Sequence, residues 1–345
     1  MTSISSFTPV NVLTGFLGSG KTTLLQRLLR SPRMARSAVL INEFGEVGLD
    51  HLLVQQVDES VVLLQSGCIC CSIRDDLKSA LRGLLSRRER NEIPPFDRVV
   101  IETTGLADPG PILYTLLSEP VIRHHFRLGN VITTVDVVNA ELHLSRNREG
   151  IKQVAAADRL VLTKSDLAGP GQTAAVRDEL TRLNPSARLW DAAEDPVDIA
   201  FLLDGMYSAP PPDSARYRLE EGVARERECA PGGLRRHTDS VSSFCLILDR
   251  PMDWTAFGVW LSLLLNRHGD DVLRVKGILC VEGSATPVFI NGVQHIVHPP
   301  QHLEKWPTDD HRTRIVFITR DIDHGRLRRS LQAFCRSQVA EGSVA

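Results

Sequence analysis

The sequence carries no excess of either charge. Forty Lys and Arg stand against 42 Asp and Glu, a formal net charge of -2 over 345 residues. Such a balance does not attract a polyanion, so neither nucleic acid nor an anionic membrane is expected as a partner. There is also no long apolar run. The most apolar stretch, FGVWLSLLL at residues 257–265, is too short to span a bilayer. The first ten residues, MTSISSFTPV, have no basic segment leading into an apolar one, so no export signal is expected. No internal repeat and no long histidine tract occur. The seven cysteines are odd in number. Without an export signal, that count points to a reducing cytoplasm and argues against structural disulfides.

What is present is a regular alternation. TPVNVLTG, SAVLIN, SVVLLQ, RVVIET, NVITTVD, RLVLTK and ARLWDA read as strands. Their Val- and Ile-rich runs without polar alternation suit strands covered on both faces. Helical stretches separate most of them. One is KTTLLQRLLR, with Leu24, Leu25, Leu28 and Leu29 on one face; another is DDLKSALRGLLSRRER. The pattern predicts a doubly wound, mainly parallel α/β sheet over residues 1–207. Residues 208–240 are rich in Pro, Gly and charge and read as a linker. Residues 241–345 hold the strand SFCLILD and a helix over residues 254–266. The strands LRVKGILCVEG, PVFINGVQHIV and RTRIVFITRD follow, and then a basic helix. This second unit is expected to be a smaller α+β domain.

GFLGSGKT, residues 15–22, has the spacing G-x-x-x-x-G-K-T between a strand and a helix, the context that marks a phosphate-binding P-loop. Gly15, Gly18, Ser19 and Gly20 would curl the backbone so that its N–H groups point at phosphate oxygens. Lys21 would bring positive charge to the β- and γ-phosphates, and the Thr22 hydroxyl would ligate Mg²⁺. Thr23 is a candidate contact to the α-phosphate. In VVIETTG, Glu102 ends a strand within reach of Mg²⁺, and the Gly105 N–H would sense the γ-phosphate. LVLTKSDL resembles the guanine-selecting N-K-x-D of GTPases, with Thr163 where asparagine is usual. Asp166 would accept hydrogen bonds from guanine N1–H and its exocyclic amine, a pair adenine cannot offer. The Lys164 stem would pack along the base.

QSGCICCSIRDDL places Cys68, Cys70 and Cys71 within four positions. Metal ligation, a redox pair at Cys68 and Cys71, and a buried structural cluster are all open readings. In an extended chain Cys68 and Cys70 share a side, and Cys71 joins them only if the chain turns. Ser72 would cap a helix starting near Ile73, which places Cys71 at a helix N-terminus, where thiolates are favoured. Three thiolates leave a tetrahedral shell one donor short and prefer Zn²⁺, Cu(I) or Co²⁺ to Mg²⁺. His295, His298 and His302 form a second candidate group, and His124 and His125 a further pair.

GFLGSGKTTLL, INEFGEVGLD, GCICCSIRDDL, ETTGLADP and QVAAADRLVLTKSDL occur in the order seen in CobW-type GTPases. The sequence therefore resembles the CobW-like metallochaperone GTPases, relatives of the urease and hydrogenase nickel-insertion GTPases. The resemblance covers the first domain nearly end to end. It extends more loosely to a CobW-like C-terminal domain. It implies GTP and GDP binding with Mg²⁺, slow GTP hydrolysis, and delivery of Zn²⁺ or Co²⁺ to a client metalloprotein. It puts the metal at Cys68, Cys70 and Cys71 and a switch segment at residues 42–50. There Glu43 would act on Mg²⁺ or the hydrolytic water, beside Lys21 and Glu102. The expected assembly is a monomer, or a dimer that depends on nucleotide or metal. A GTP-dependent zinc sensor and a P-loop small-molecule kinase are the alternative functions.

Overall fold

The computed structural model describes residues 7–42, 62–66, 73–194, 198–204 and 240–337. It divides into two compact units, Met1–Thr181 with Ala187–Met206, and Arg182–Ser186 with Tyr207–Ala345. Apart from Ser240, the stretch read as a linker lies outside the described residues.

In the first unit the strands are β1 (Thr8–Gly15), β2 (Ser37–Asn42), β3 (Val62–Ser66), β4 (Arg98–Glu102), β5 (Phe126–Asp136), β6 (Arg159–Thr163) and β7 (Arg188–Asp191). They form one seven-stranded sheet in the order β3-β2-β4-β1-β5-β6-β7. Every pairing in it is parallel. Helices α1 (Lys21–Leu29), α2 (Ile73–Glu89), α3 (Pro109–Ser118), α4 (Pro120–His125), α5 (Ala140–Arg146), α6 (Arg148–Ala156), α7 (Pro170–Leu183) and α8 (Ile199–Leu203) follow the strands. The β6 strand is buried at every position, as both-face coverage requires. Leu24, Leu25, Leu28 and Leu29 of α1 pack on Leu13, Val39, Val100 and Ile132 of the sheet. Asp108 caps α3 by accepting from Gly110 N at 2.9 Å, and Asp198 caps α8.

The second unit is built on an antiparallel sheet of β8 (Val241–Leu248), β9 (Val272–Leu279), β10 (Val288–Val293), β11 (Ile296–Val297), β12 (Gln301–His302) and β13 (Thr313–Arg320). The order is β11-β10-β9-β13-β8, with β12 also on β10. Among the described residues two helices complete it, α9 (Trp254–His268) and α10 (His324–Ser337). The Trp260 indole of α9 donates to Ser330 Oγ of α10 at 2.9 Å, which ties the two helices together. PVFINGVQHIV, expected as one strand, is a hairpin. The chain turns at Gln294 and His295, and Val293 pairs with Ile296. Gln294 adopts a φ of 53°, and no glycine or asparagine marks this turn. Among the described residues no helix is long and apolar enough to cross a membrane.

Phe317 is fully buried between Phe244, stacked at 5.4 Å, and Trp260, edge-on at 6.1 Å. Phe317→Ala should cost about 3–5 kcal/mol. Urea unfolding followed by tryptophan fluorescence would show it as an early transition.

Candidate nucleotide site

The P-loop turns out of β1 at the centre of the parallel sheet and enters α1. Gly15, Gly18 and Gly20 all have positive φ. Gly20 is the N-cap of α1 at φ 87° and offers no side chain to the first helical amides. Those amides therefore face the mouth of the loop, as an anion site requires. The Lys21 ammonium folds back and donates to the carbonyls of Gly15 and Phe16, each at 3.0 Å. Ser19 is 1% exposed, and its hydroxyl shares a 2.6 Å hydrogen bond with Thr134 Oγ1 of β5. Its backbone N–H donates to the Phe16 carbonyl at 3.1 Å, closing the turn of the loop. Thr23 is exposed.

Two further strand ends meet this loop. Thr22 Oγ1 donates to Glu102 Oε1 at 2.6 Å, joining the first turn of α1 to the end of β4. A hydroxyl and a carboxylate are hard oxygen donors of the kind Mg²⁺ takes, so this pair fits that ion. Beyond Glu102 the chain runs against the P-loop. A Cβ on Gly105 would lie 2.5 Å from Leu17 N, so only glycine allows that approach. From the other side, buried Gln153 of α6 donates to the Gly105 and Ala107 carbonyls at 3.2 and 3.0 Å.

The T-K-S-D turn after β6 is anchored side chain by side chain. Thr163 Oγ1 donates to the Ser19 carbonyl at 2.8 Å, so the residue in the usual asparagine position binds the P-loop itself. Lys164 Nζ donates to Asp136 Oδ2 at 2.7 Å. Ser165 Oγ donates to Asp191 Oδ1, at the end of β7, at 2.5 Å. Asp166 is the exposed member of the four. Burial disfavours the Asp136 charge, but hydrogen bonds from Lys164 and Asn139 outweigh it and hold the carboxyl below its usual range. The His143 ring lies 4.4 Å from that of Phe16. Burial pushes this imidazole down, against the pull of Asp136 and with that of Lys164.

The structure thus brings together Gly15, Gly18, Ser19, Gly20, Lys21, Thr22, Glu102, Gly105, Thr163 and Lys164, with Asp166 at the rim of the turn. Glu43, Cys68, Cys70 and Cys71 lie outside the described residues. Their flanks are described. β2 ends at Asn42 and β3 at Ser66, which are partners in register, and Ile41 is level with Glu102. β2 and β3 therefore both end on the P-loop edge of the sheet. β3 lies three strand spacings, roughly 14 Å, from β1.

The C-terminal histidines do not converge. His295 bonds to Leu265 O and Asp270, His298 packs beside Asn291, and His302 is exposed. Among the described residues no three His, Cys, Asp or Glu side chains are grouped to hold a metal ion. Sequence reasoning missed Asp136, Gln153 and Asp191. An acidic residue closing a strand beside the P-loop strand is a signal that would have found Asp136. For Gln153, in mid-helix, there was none.

Residues 9–191 match the family model described as the CobW/HypB/UreG nucleotide-binding domain. The chain belongs to the CobW/HypB/UreG family. Residues 241–335 match the model of the cobalamin synthesis protein CobW C-terminal domain. Among family members, the zinc chaperone YjiA of Escherichia coli is 34% identical over 309 residues, covering 90% of this chain and 93% of YjiA. The zinc chaperone CobW of a Sinorhizobium species is 30% identical, covering 94% and 96%. The crystal structure of Zn(II)-bound YjiA GTPase superposes with a TM-score of 0.70 at 28% identity, covering 95% and 99%. The parallel P-loop sheet with a separate antiparallel C-terminal unit is therefore this family's architecture.

Thr163→Val keeps shape but strands the buried Ser19 carbonyl. We expect about 1–3 kcal/mol of destabilisation and weaker nucleotide binding. Thermal unfolding with and without GDP would separate the two effects.

Proposed function

We propose that this protein is a GTP-hydrolysing metallochaperone that carries a transition metal, zinc foremost, to a client metalloprotein. The observation that carries the nucleotide reading is the T-K-S-D turn. Its first three side chains are committed to the P-loop, β5 and β7, and Asp166 is left exposed to meet a base. A carboxylate accepts from both guanine N1–H and the 2-amine, whereas adenine offers no such pair. The zinc reading is supported by family members named zinc chaperones and by the three thiols of Cys68, Cys70 and Cys71.

In this reading the backbone amides of residues 15–22 receive the phosphates. Lys21 exchanges its two loop carbonyls for β- and γ-phosphate oxygens, and Thr22 and Glu102 would hold Mg²⁺. Bound there, Mg²⁺ would neutralise phosphate charge. Gly105 packs against Leu17 of the P-loop, and its N–H would report the γ-phosphate. β2 and β3, which precede Glu43 and Cys68 in the chain, end on this same edge, so an ordered γ-phosphate side would tighten the cysteine site. By linkage, metal then tightens GTP binding by the same factor. We assign residues 1–207 to the GTPase, 208–240 to a linker and 241–345 to client recognition.

Asp166→Asn should weaken GTP binding on the order of 10- to 100-fold and leave ATP binding unchanged; retained GTP preference in a fluorescent-nucleotide competition assay would refute guanine selection. In calorimetry, zinc should bind more tightly with a GTP analogue than with GDP, and Cys70→Ser should abolish the difference. Equal zinc affinity in the two states would remove the coupling.

A further inference from the structure

Asp136 does more than its place at the end of a strand requires. It is 2% exposed and accepts four hydrogen bonds. Its Oδ1 takes Val138 N at 2.9 Å and Asn139 N at 3.3 Å, closing the turn into α5. Its Oδ2 takes Asn139 Nδ2 at 2.8 Å and the Lys164 ammonium at 2.7 Å. One oxygen thus serves the local turn, and the other reaches across to the base-reading turn. Asp136 is level with Thr163 in the β5–β6 register, and Val137 N bonds to Thr163 O at 3.0 Å, so backbone pairing already brings the two turns together.

Lys164 is the residue that needs holding. Its φ is 57° and its ψ 27°, a left-handed conformation that costs an L-residue about 1–2 kcal/mol. That kink turns the chain from β6 into the 3-10 turn Ser165–Leu167, where Leu167 N bonds back to Lys164 O at 3.1 Å. The direction of Asp166 follows from the kink.

We propose that Asp136 is a positioning residue for guanine selection: by holding the Lys164 ammonium it keeps the turn kinked so that the Asp166 carboxylate faces the base. The inference rests on the guanine reading above. It separates the work of the turn into an anchor on the P-loop (Thr163), an anchor on β5 (Lys164 through Asp136) and a reader (Asp166). A short charge-assisted hydrogen bond to a buried carboxylate is among the stronger polar contacts, so its loss should be visible in binding.

The test uses the full chain and compares GDP with IDP, which lacks the 2-amine and so forfeits one of the two bonds to Asp166. The GDP-to-IDP affinity ratio therefore reads the aim of that carboxylate, which a general loss of stability does not move. Asp136→Asn keeps an acceptor for the Val138 and Asn139 amides but presents an amide donor to Lys164. Lys164→Met keeps the stem, removes the ammonium and alters a partly exposed side chain, so it remains informative if the buried Asp136→Asn variant fails to fold. We expect each to narrow the ratio by about tenfold, with a lowered unfolding midpoint for Lys164→Met because the buried carboxylate loses its cation, and the double variant to add little. If GDP and IDP weaken equally, or if Lys164→Met keeps the parent ratio, Asp136 is structural only and the inference fails. A parent protein that does not prefer GDP to ADP overturns the guanine reading and this inference with it.

Discussion

Parallel pairing of all seven strands is the constraint on which the first unit depends. When every strand runs the same way, every carboxyl end opens on one edge, and each loop that follows a strand starts from that edge. β1 lies between β4 and β5, so the P-loop has neighbours on both sides. Glu102 and the Gly105 turn reach it from β4, and Thr134 from β5. Thr163 arrives from β6, one strand further out, and still bonds to Ser19 O. A sheet with one of these strands reversed would send that loop to the opposite edge and dissolve the site.

The polar groups on this edge are buried, and buried polar groups must be partnered. That requirement does the positioning. Ser19, Thr134 and Thr163 spend their hydroxyls on backbone or on each other, so the loop is held before any ligand arrives. Lys21 lies against two carbonyls that also favour a cation. Gln153 pins the Gly105 turn from the helix side while Leu17 blocks it from the loop side.

Much of this was legible in residue order. The G-x-x-x-x-G-K-T spacing, the strand-to-helix context and the T-K-S-D turn each name a local conformation, and local conformation is what spacing encodes. The apolar runs of β1, β5 and β6 announced a sheet covered on both faces. The hairpin at Gln294 was hidden because a left-handed turn without glycine or asparagine leaves no mark on the pattern. The roles of Asp136 and Gln153 were missed for a different reason. Their importance comes from partners 28 and 48 residues away, and no periodicity reports a partner across a sheet.

The sequence by itself determined the elements and their chemistry: a phosphate loop, a carboxylate at a strand end, a thiol cluster and a T-K-S-D turn after a strand. These follow from short spacings, because backbone geometry over a few residues depends on those residues alone. Only the tertiary structure decided which side chains serve the ligand and which serve the scaffold. Thr163 belongs to the P-loop, Lys164 to Asp136 and Ser165 to Asp191, which leaves Asp166 exposed, as the proposed base contact requires. That division depends on where the neighbouring strands end, and strand order is a property of the packed sheet.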